Sequence, residues 1–554
     1  MTISDIVKTF SKKEIKFLLI TIVVTMIIVS VPSIYGLLTT PDHFIYTPNY
    51  NRATGDTYVY LSMIEETRQG NVTFHNLFTS EDHKPVLVNP FWLSVGFWSR
   101  TLSINPLFLI QAAKIILIPF TLSLIYITTS IFIKKRSTRM LSLLMTLGVS
   151  GFGYAYYRFF KPDIIPNVFT IKFYSTPTDI WLSEAYAMHS FYSSPHFQAS
   201  ICFLLLVFIF FMLGVEAANK KYIIISGILG LVLAFFHPYE IIYIYFIFAA
   251  FIFIKFLSSK KNFFEAAKKY VSFFAIMFGI SIPGLLYLVY TFLSEPALSS
   301  WAFQSQTTSP KFELYLLGFG ITIPLAALGI IFSLKKLDNA KIFLFTWLIL
   351  TFPLLYIPLP FNRRFAEGIF IPLGILSSIG VYKIYQLIVK NKSKTIKYAT
   401  IVIFAVILCA SLLPTQIYNF YAFIELQRIY KMTPFYLEKT YDESFKWIKA
   451  NSTSNDIVIS GHTEGFLIPA FTARRVYVGH SLQTANFETK KNNMENFFKD
   501  DENPDNKKKF LKENKISLVF YGKGEKSLGS FNPERKDFLE KVFENTDVAV
   551  YKVK

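Results

Sequence analysis

The residues best suited to chemistry fall in a few short stretches of this 554-residue chain. Asp56 stands in "GDTYVYLSMIEETRQG", two positions before Tyr58. Asp179, Glu184, His189 and His196 lie in "PTDIWLSEAYAMHSFYSSPHFQ", with Asp163 a little upstream. His237 and Glu240 flank Pro238 and Tyr239 in "FFHPYEII". Arg363 and Arg364 are adjacent in "LPFNRRFAEGIFIP", followed by Glu367. Carboxylates and imidazoles move protons, and a pair of guanidinium forks matches the oxygens of a phosphate. Gathered together, they would make an acid/base site beside an anion site.

Each residue also has a plainer reading. Asp56 suits a helix N-cap, with Tyr60, Leu61 and Ile64 on an apolar face and Ser62, Glu65 and Glu66 opposite. Asp179 and Glu184 have Lys172 and Arg158 as nearby ion-pair partners in sequence, and His196 could simply begin a helix. His237 and Glu240 could satisfy one another in a tight turn.

The elements that must position these groups are membrane spans. The chain is 52% hydrophobic and 18% aromatic. Its apolar residues concentrate in runs such as Phe17–Leu38, Leu107–Ile133, Phe197–Leu213, Val271–Leu293 and Ile401–Leu413. A helix crossing a bilayer needs roughly 20 such residues. The sequence predicts a polytopic α-helical membrane protein of about eleven spans: Lys16–Leu38, Leu107–Ile133, Met140–Phe159, Phe197–Val215, Tyr222–Phe236, Ile241–Phe256, Val271–Leu293, Leu314–Leu334, Ile342–Tyr356, Phe370–Val389 and Tyr398–Ile417. The fifth and sixth are short, and His237–Glu240 joins them as a hairpin tip.

The net charge of +19 reports topology rather than nucleic-acid binding. Lys and Arg collect at the N-terminus (Lys8, Lys12, Lys13, Lys16) and in alternate loops, for example Lys134–Arg139, Lys220–Lys221 and Lys390–Lys397. Loops rich in Lys and Arg stay in the cytoplasm. The N-terminus is expected inside and the C-terminus outside, in a plasma membrane. The first apolar stretch is too long for a cleavable signal and reads as an anchor. Asp56, Asp179, Glu184, His196, His237, Glu240 and the arginine pair all then fall on the outward side. Two adjacent arginines there run against the usual bias, which favours a phosphate-binding role. Cys202 and Cys409 lie within spans, so neither a disulfide framework nor a Cys-based metal motif is present.

Two outward loops, 39–105 and 161–196, are long enough to expect function. Beyond residue 417 the charge rises, and 418–554 reads as an extracytoplasmic α/β domain behind a membrane domain of residues 1–417. Asp442–Ala450 reads as an amphipathic helix. Asp456–Ser460, Thr472–His480, Ile516–Gly522 and Val548–Val553 read as strands, with helices near Glu495–Phe510 and Glu534–Phe543. The charged run Lys490–Lys509 reads as a solvated face.

The order of these features resembles the C-type (GT-C) membrane glycosyltransferases, and strings such as "FNRRFAEGIFIPLGIL" and "ARRVYVGH" look like a bacterial branch of them. The resemblance implies a sugar donor carried on a polyprenyl phosphate, with membrane lipid around its tail and a glycan, lipid or protein as acceptor. Asp56 matches the family's first-loop catalytic acid, with Asp163, Asp179 and Glu184 competing for the second-loop acid. Arg363 and Arg364 are the candidates for the donor phosphate, with His196, His237, Glu240 and Tyr58 also at the substrate. Asp56 lacks the paired acid of protein mannosyltransferases, and no WWD-type motif of oligosaccharyltransferases is present. No metal ligands are assigned, and use of a divalent cation stays open. A soluble nucleotide-sugar donor is disfavoured, because no Gly-rich phosphate loop or cytoplasmic DxD is found. A polymerase or ligase using polyprenyl-diphosphate glycans, a transporter, and a binding protein built on Ser460–His480 are the alternatives.

Overall fold

The computed structural model describes residues 3–49, 54–160, 173–258, 263–335, 337–500 and 503–554. Asp163, Lys172 and the start of the second long loop lie outside them. The contacts divide the chain into two units: residues 1–35, 112–285 and 307–429, and residues 36–111, 286–306 and 430–554.

The first unit is almost entirely helical. Taking both units, seven helices among the described residues are long and apolar enough to cross a membrane, or eight if the bent pair Phe312–Phe319 and Thr322–Ser333 counts as one span. The chain is thus a multi-pass membrane protein. Every expected span falls on a helix or a broken pair, but several are short. Met140–Phe159 is split between Arg136–Gly148 and Gly153–Phe160. Tyr222–Phe236 and Ile342–Tyr356 fall on the shorter helices Lys220–Phe236 and Asn339–Leu354. The expected Leu314–Leu334 bends by 82° near Gly320, which takes a left-handed φ of +51°. Apolar composition reports burial without telling a full crossing from a half-helix inside the bundle.

Pro195–Ala217 and Asn362–Val389 are the most buried of the apolar helices, while Lys394–Ile429 is the least. Phe208 packs edge-to-face against both Phe343 and Trp347, and all three are buried. His237 caps the end of Lys220–Phe236, and Pro238 opens Pro238–Ser258. Proline is well placed there because N–H groups of the first turn have no intrahelical acceptor, so its missing donor costs nothing.

Among the described residues, the β structure lies in the second unit. Strands β1 (Phe44–Tyr46) and β2 (Tyr436–Glu438) pair antiparallel. A five-stranded mixed sheet runs in the order β4-β3-β5-β7-β6, with β3 at Ile457–Ile459, β4 at Arg475–Val476, β5 at Ile516–Tyr521, β6 at Leu539–Glu544 and β7 at Ala549–Val553. The four expected strands are present, and so is the amphipathic helix, as Lys439–Asn451. The helix expected over Glu534–Phe543 is corrected: Leu539–Glu544 is a strand, because its backbone completes the ladder along β7. The helix expected near Glu495–Phe510 is instead two helices, Phe487–Lys499 and Pro504–Glu513, parted at Asn503 with φ +51°. The run Lys490–Lys509 is not wholly solvated. Met494, Phe497 and Phe498 enter the core, Lys490 reaches Glu81, and Lys507 donates to the Phe497 carbonyl.

The helix Thr54–Arg68 packs in this unit against Pro90–Thr101 and His462–Thr472. Tyr58, Leu61 and Ile64 join Trp92, Leu467 and Phe520 in one apolar cluster. The expected polar face is buried as well: Ser62, Glu65 and Glu66 are 2–3% exposed. Their charges are matched locally. Glu65 pairs with Arg68 and Lys449, and Glu66 accepts from His75.

Candidate functional site

In the second unit, Asp56 lies in the first turn of Thr54–Arg68, where its charge suits the positive end of the helix. The cap reading is corrected, since the helix begins two residues earlier. Asp56 Oδ1 instead lies 3.5 Å from His480 Nε2, with the carboxylate 32% exposed and the imidazole 8%. Leu482 N–H donates to His480 Nδ1 at 3.2 Å. In the neutral ring the proton therefore sits on Nε2 and faces Asp56. Gly55 permits this approach, because a Cβ there would come within 2.7 Å of the His480 ring and 2.8 Å of Phe466. Phe466 and Phe78 hold the imidazole edge-to-face. Tyr58 is buried and packs on Phe466.

In the first unit, Glu184 and the arginine pair come together. Arg364 Nη1 lies 2.5 Å from Glu184 Oε1, and Arg363 Nη2 lies 3.7 Å from the same oxygen. Burial alone would raise the Glu184 carboxyl, but Arg364 and Arg363 outweigh it and hold it below the usual range. Glu184 therefore stays ionised. In direct contact, one carboxylate meets two guanidiniums, with Glu240 of the neighbouring cluster also facing Arg364. The arginines are 14% and 18% exposed, with Arg363 above the Trp181 ring and Arg364 near Phe197 and Tyr239. The turn Asn362–Ala366 is fixed by Arg363 N–H donating to the Thr307 carbonyl and by the Asn362 side-chain Oδ1 accepting from Ser309 N–H.

Asp179 does different work. Its Oδ2 accepts from Gly151 N–H at 3.0 Å, Gly153 N–H at 3.2 Å and Ser150 Oγ at 3.2 Å. Its own carbonyl is met by Asn419 Nδ2 at 2.9 Å and lies 2.7 Å from His189 Nε2. The expected pairing with Lys172 or Arg158 is replaced, as far as the described residues go, by these neutral donors. Burial pushes its carboxyl up to about 6 against the pull of those donors. This geometry ties a helix break to the second loop.

A third cluster forms at the hairpin tip. His237 Nδ1 pairs with Glu240 Oε2, as the sequence suggested, and lies 3.4 Å from Glu367 Oε2. Ser200 Oγ donates to Glu367 Oε1. His196, in the first turn of its helix, stacks obliquely with the His237 ring at 5.3 Å and bonds Ser194. Gly368 (φ +75°) makes the turn that brings Glu367 inward, and a side chain there would press on Leu204.

From sequence, Glu367 stands only as one more acid beside the arginine pair, and His480 only as the end of the Ser460–His480 stretch offered for binding. The signal for Glu367 was an acid in an apolar stretch beside two arginines, which is costly without a partner. His480 offered no comparable signal, because only the tertiary fold brings it to Asp56.

No family model and no curated relative matches the chain. Solved structures do. The oligosaccharyltransferase of Archaeoglobus fulgidus tethered to an acceptor peptide aligns over 90% of this chain and 69% of its own, at 14% identity and TM-score 0.53. The same organism's AglB, in complex with an inhibitory peptide and a dolichol-phosphate, aligns over 92% and 70%, at 14% identity and TM-score 0.52. ArnT from Cupriavidus metallidurans bound to undecaprenyl phosphate aligns over 95% and 97%, at 10% identity and TM-score 0.48. The expected likeness to the C-type membrane glycosyltransferases thus holds at the level of fold, and this chain shares that of the archaeal oligosaccharyltransferase.

Proposed function

We propose that this protein is a membrane glycosyltransferase. It moves a sugar from a polyprenyl-phosphate donor to an acceptor on the extracytoplasmic side, with its N-terminus in the cytoplasm. The observation that carries this reading is the pair Arg363–Arg364 held by the single carboxylate of Glu184. Two largely buried guanidinium forks in direct contact with a single carboxylate suit a lipid-linked phosphate. The leaving group of such a transfer is a phosphate, and guanidinium stabilises the charge that develops on it. The dolichol-phosphate in the AglB complex supports the same donor class.

Asp56 is the proposed base, accepting the proton of the acceptor hydroxyl or amine as it attacks the sugar's anomeric carbon. Its exposed carboxylate is open to an acceptor, and His480 Nε2–H would fix its orientation. Glu184 then serves as the group that orients the arginines rather than as an acid in the reaction. Asp179 is a structural tie.

The fold shared with an oligosaccharyltransferase favours a second reading, in which the donor is a glycan on a polyprenyl diphosphate. The missing WWD-type motif speaks against a peptide acceptor. Binding of short-chain polyprenyl phosphate and diphosphate to purified protein, compared with Arg363→Ala and Arg364→Ala, tests the donor assignment. Affinity for the monophosphate should fall about 10- to 100-fold in each variant, as expected for a lost charged hydrogen bond. Unchanged affinity rejects the phosphate role, and wild-type binding of the diphosphate alone selects the second reading.

A further inference from the structure

The geometry points to a divalent transition-metal site formed by His237, Glu240 and Glu367. One ligand atom from each residue lies within 4.8 Å of the others. The three side chains are buried, at 5%, 1% and 0% exposure. They come from different elements: the end of Lys220–Phe236, the first turn of Pro238–Ser258, and the bend that follows Asn362–Ala366.

The Glu240 and Glu367 carboxyls lie within hydrogen-bond reach of one another, so either a shared proton or a bound cation must hold them together. Glu240 Oε1 and Glu367 Oε2 are buried and accept no hydrogen bond from an N–H or hydroxyl donor among the described residues, His237 Nδ1 lying 3.4 Å from Glu367 Oε2. Orphaned acceptors of that kind are costly away from water, and two facing carboxylates add mutual repulsion. The neighbouring Arg364 is already engaged with Glu184 at 2.5 Å. A bound dication would satisfy both free oxygens and bring the two carboxylates together.

The donor set selects the ion. One imidazole nitrogen and two carboxylate oxygens suit Zn²⁺ or Mn²⁺ better than Mg²⁺ or Ca²⁺, which favour all-oxygen shells. Ser200 Oγ, donating to Glu367 Oε1, supplies the outer contact that orients a ligating carboxylate. The ligands include neither Asp56 nor the arginines, and the test reads ion binding rather than sugar transfer, so its failure is distinguishable from failure of the transfer reading.

The test uses full-length protein in lipid nanodiscs, stripped with chelator and then titrated with ZnCl₂ and, separately, MnCl₂. Binding of about one ion per chain is expected, with a rise in melting temperature as the ion fills its site. Glu367→Gln and Glu240→Gln should each weaken binding about 10-fold or more and abolish the thermal shift. X-ray absorption on the Zn²⁺-loaded wild type gives a readout that needs no variant to fold, and should show one nitrogen and at least two oxygens from the protein. Failure to bind either ion, unchanged binding in both folded variants, or a shell without imidazole nitrogen would overturn the assignment.

Discussion

Asp56 Oδ1 and His480 Nε2 face each other at 3.5 Å across a gap that only Gly55 leaves open. The Leu482 N–H on the other ring nitrogen fixes which side of the imidazole carries the proton. The carboxylate is thereby aimed by a donor that does not neutralise it. If Asp56 is the base proposed above, His480→Ala is expected to lower kcat about 10-fold, with little change in donor KM, because the carboxylate remains and loses its orientation. His480→Gln should recover part of the rate by restoring a donor. Equal kcat in all three forms would show that His480 only packs.

The arginine pair depends on Glu184. Glu184→Gln keeps the shape and removes the charge that holds Arg364. Donor KM should change several-fold while the melting temperature falls by a few degrees, as expected when a buried pair loses one partner. Arg364→Lys should not substitute for arginine, since an ammonium cannot reproduce the fork. Steady-state kinetics with varied donor distinguish the two. A Lys variant with wild-type donor KM would contradict the forked contact.

Asp179 predicts a loss of stability rather than of chemistry. Asp179→Asn turns an amide towards donors at Gly151, Gly153 and Ser150 that now meet a carboxylate. The cost is about 1–3 kcal/mol, readable by thermal or denaturant unfolding, with transfer per folded molecule retained. Abolished transfer at unchanged stability would instead make Asp179 the second-loop acid.

The second unit has its own pH signature. Glu525 accepts Gly461 N–H at 2.5 Å and Gly522 N–H at 2.8 Å, buried close to Glu464. Burial, and for Glu525 the Glu464 charge, push both carboxyls above their ordinary range. A carboxyl raised in the folded state binds more protons there than in the unfolded chain. Its stabilisation is therefore greatest at low pH and is lost as pH rises through the folded value. Melting temperature should fall between pH 6 and pH 8 in wild type, and fall less in Glu464→Gln. Identical slopes would dismiss the pair as the cause.

Much of this architecture was legible because a bilayer constrains sequence so strongly. Runs such as Phe17–Leu38 and Val271–Leu293 can be little other than helices. The hairpin at His237–Glu240 and four of the five strands in the larger sheet also followed from local pattern. Failures came where tertiary contact overrides it. Leu539–Glu544 is a strand because β7 pairs with it. Glu65 and Glu66 are buried because Lys449 and His75 meet them. The candidate residues were found by the cost of placing charge near a membrane. Their groupings, Glu184 with the arginines and Asp56 with His480, are products of folding that spacing alone does not carry.

Transfer from a polyprenyl-phosphate sugar with Asp56 as base is the proposed activity. Its most direct measurement is single-turnover transfer of radiolabelled sugar from native membrane lipids by purified protein, comparing wild type with Asp56→Asn. Asn keeps the size of the side chain and loses the charge. A fall of about 10²- to 10⁴-fold, with an unchanged melting temperature and unchanged donor binding, is the predicted result. Undiminished transfer by Asp56→Asn would contradict the account.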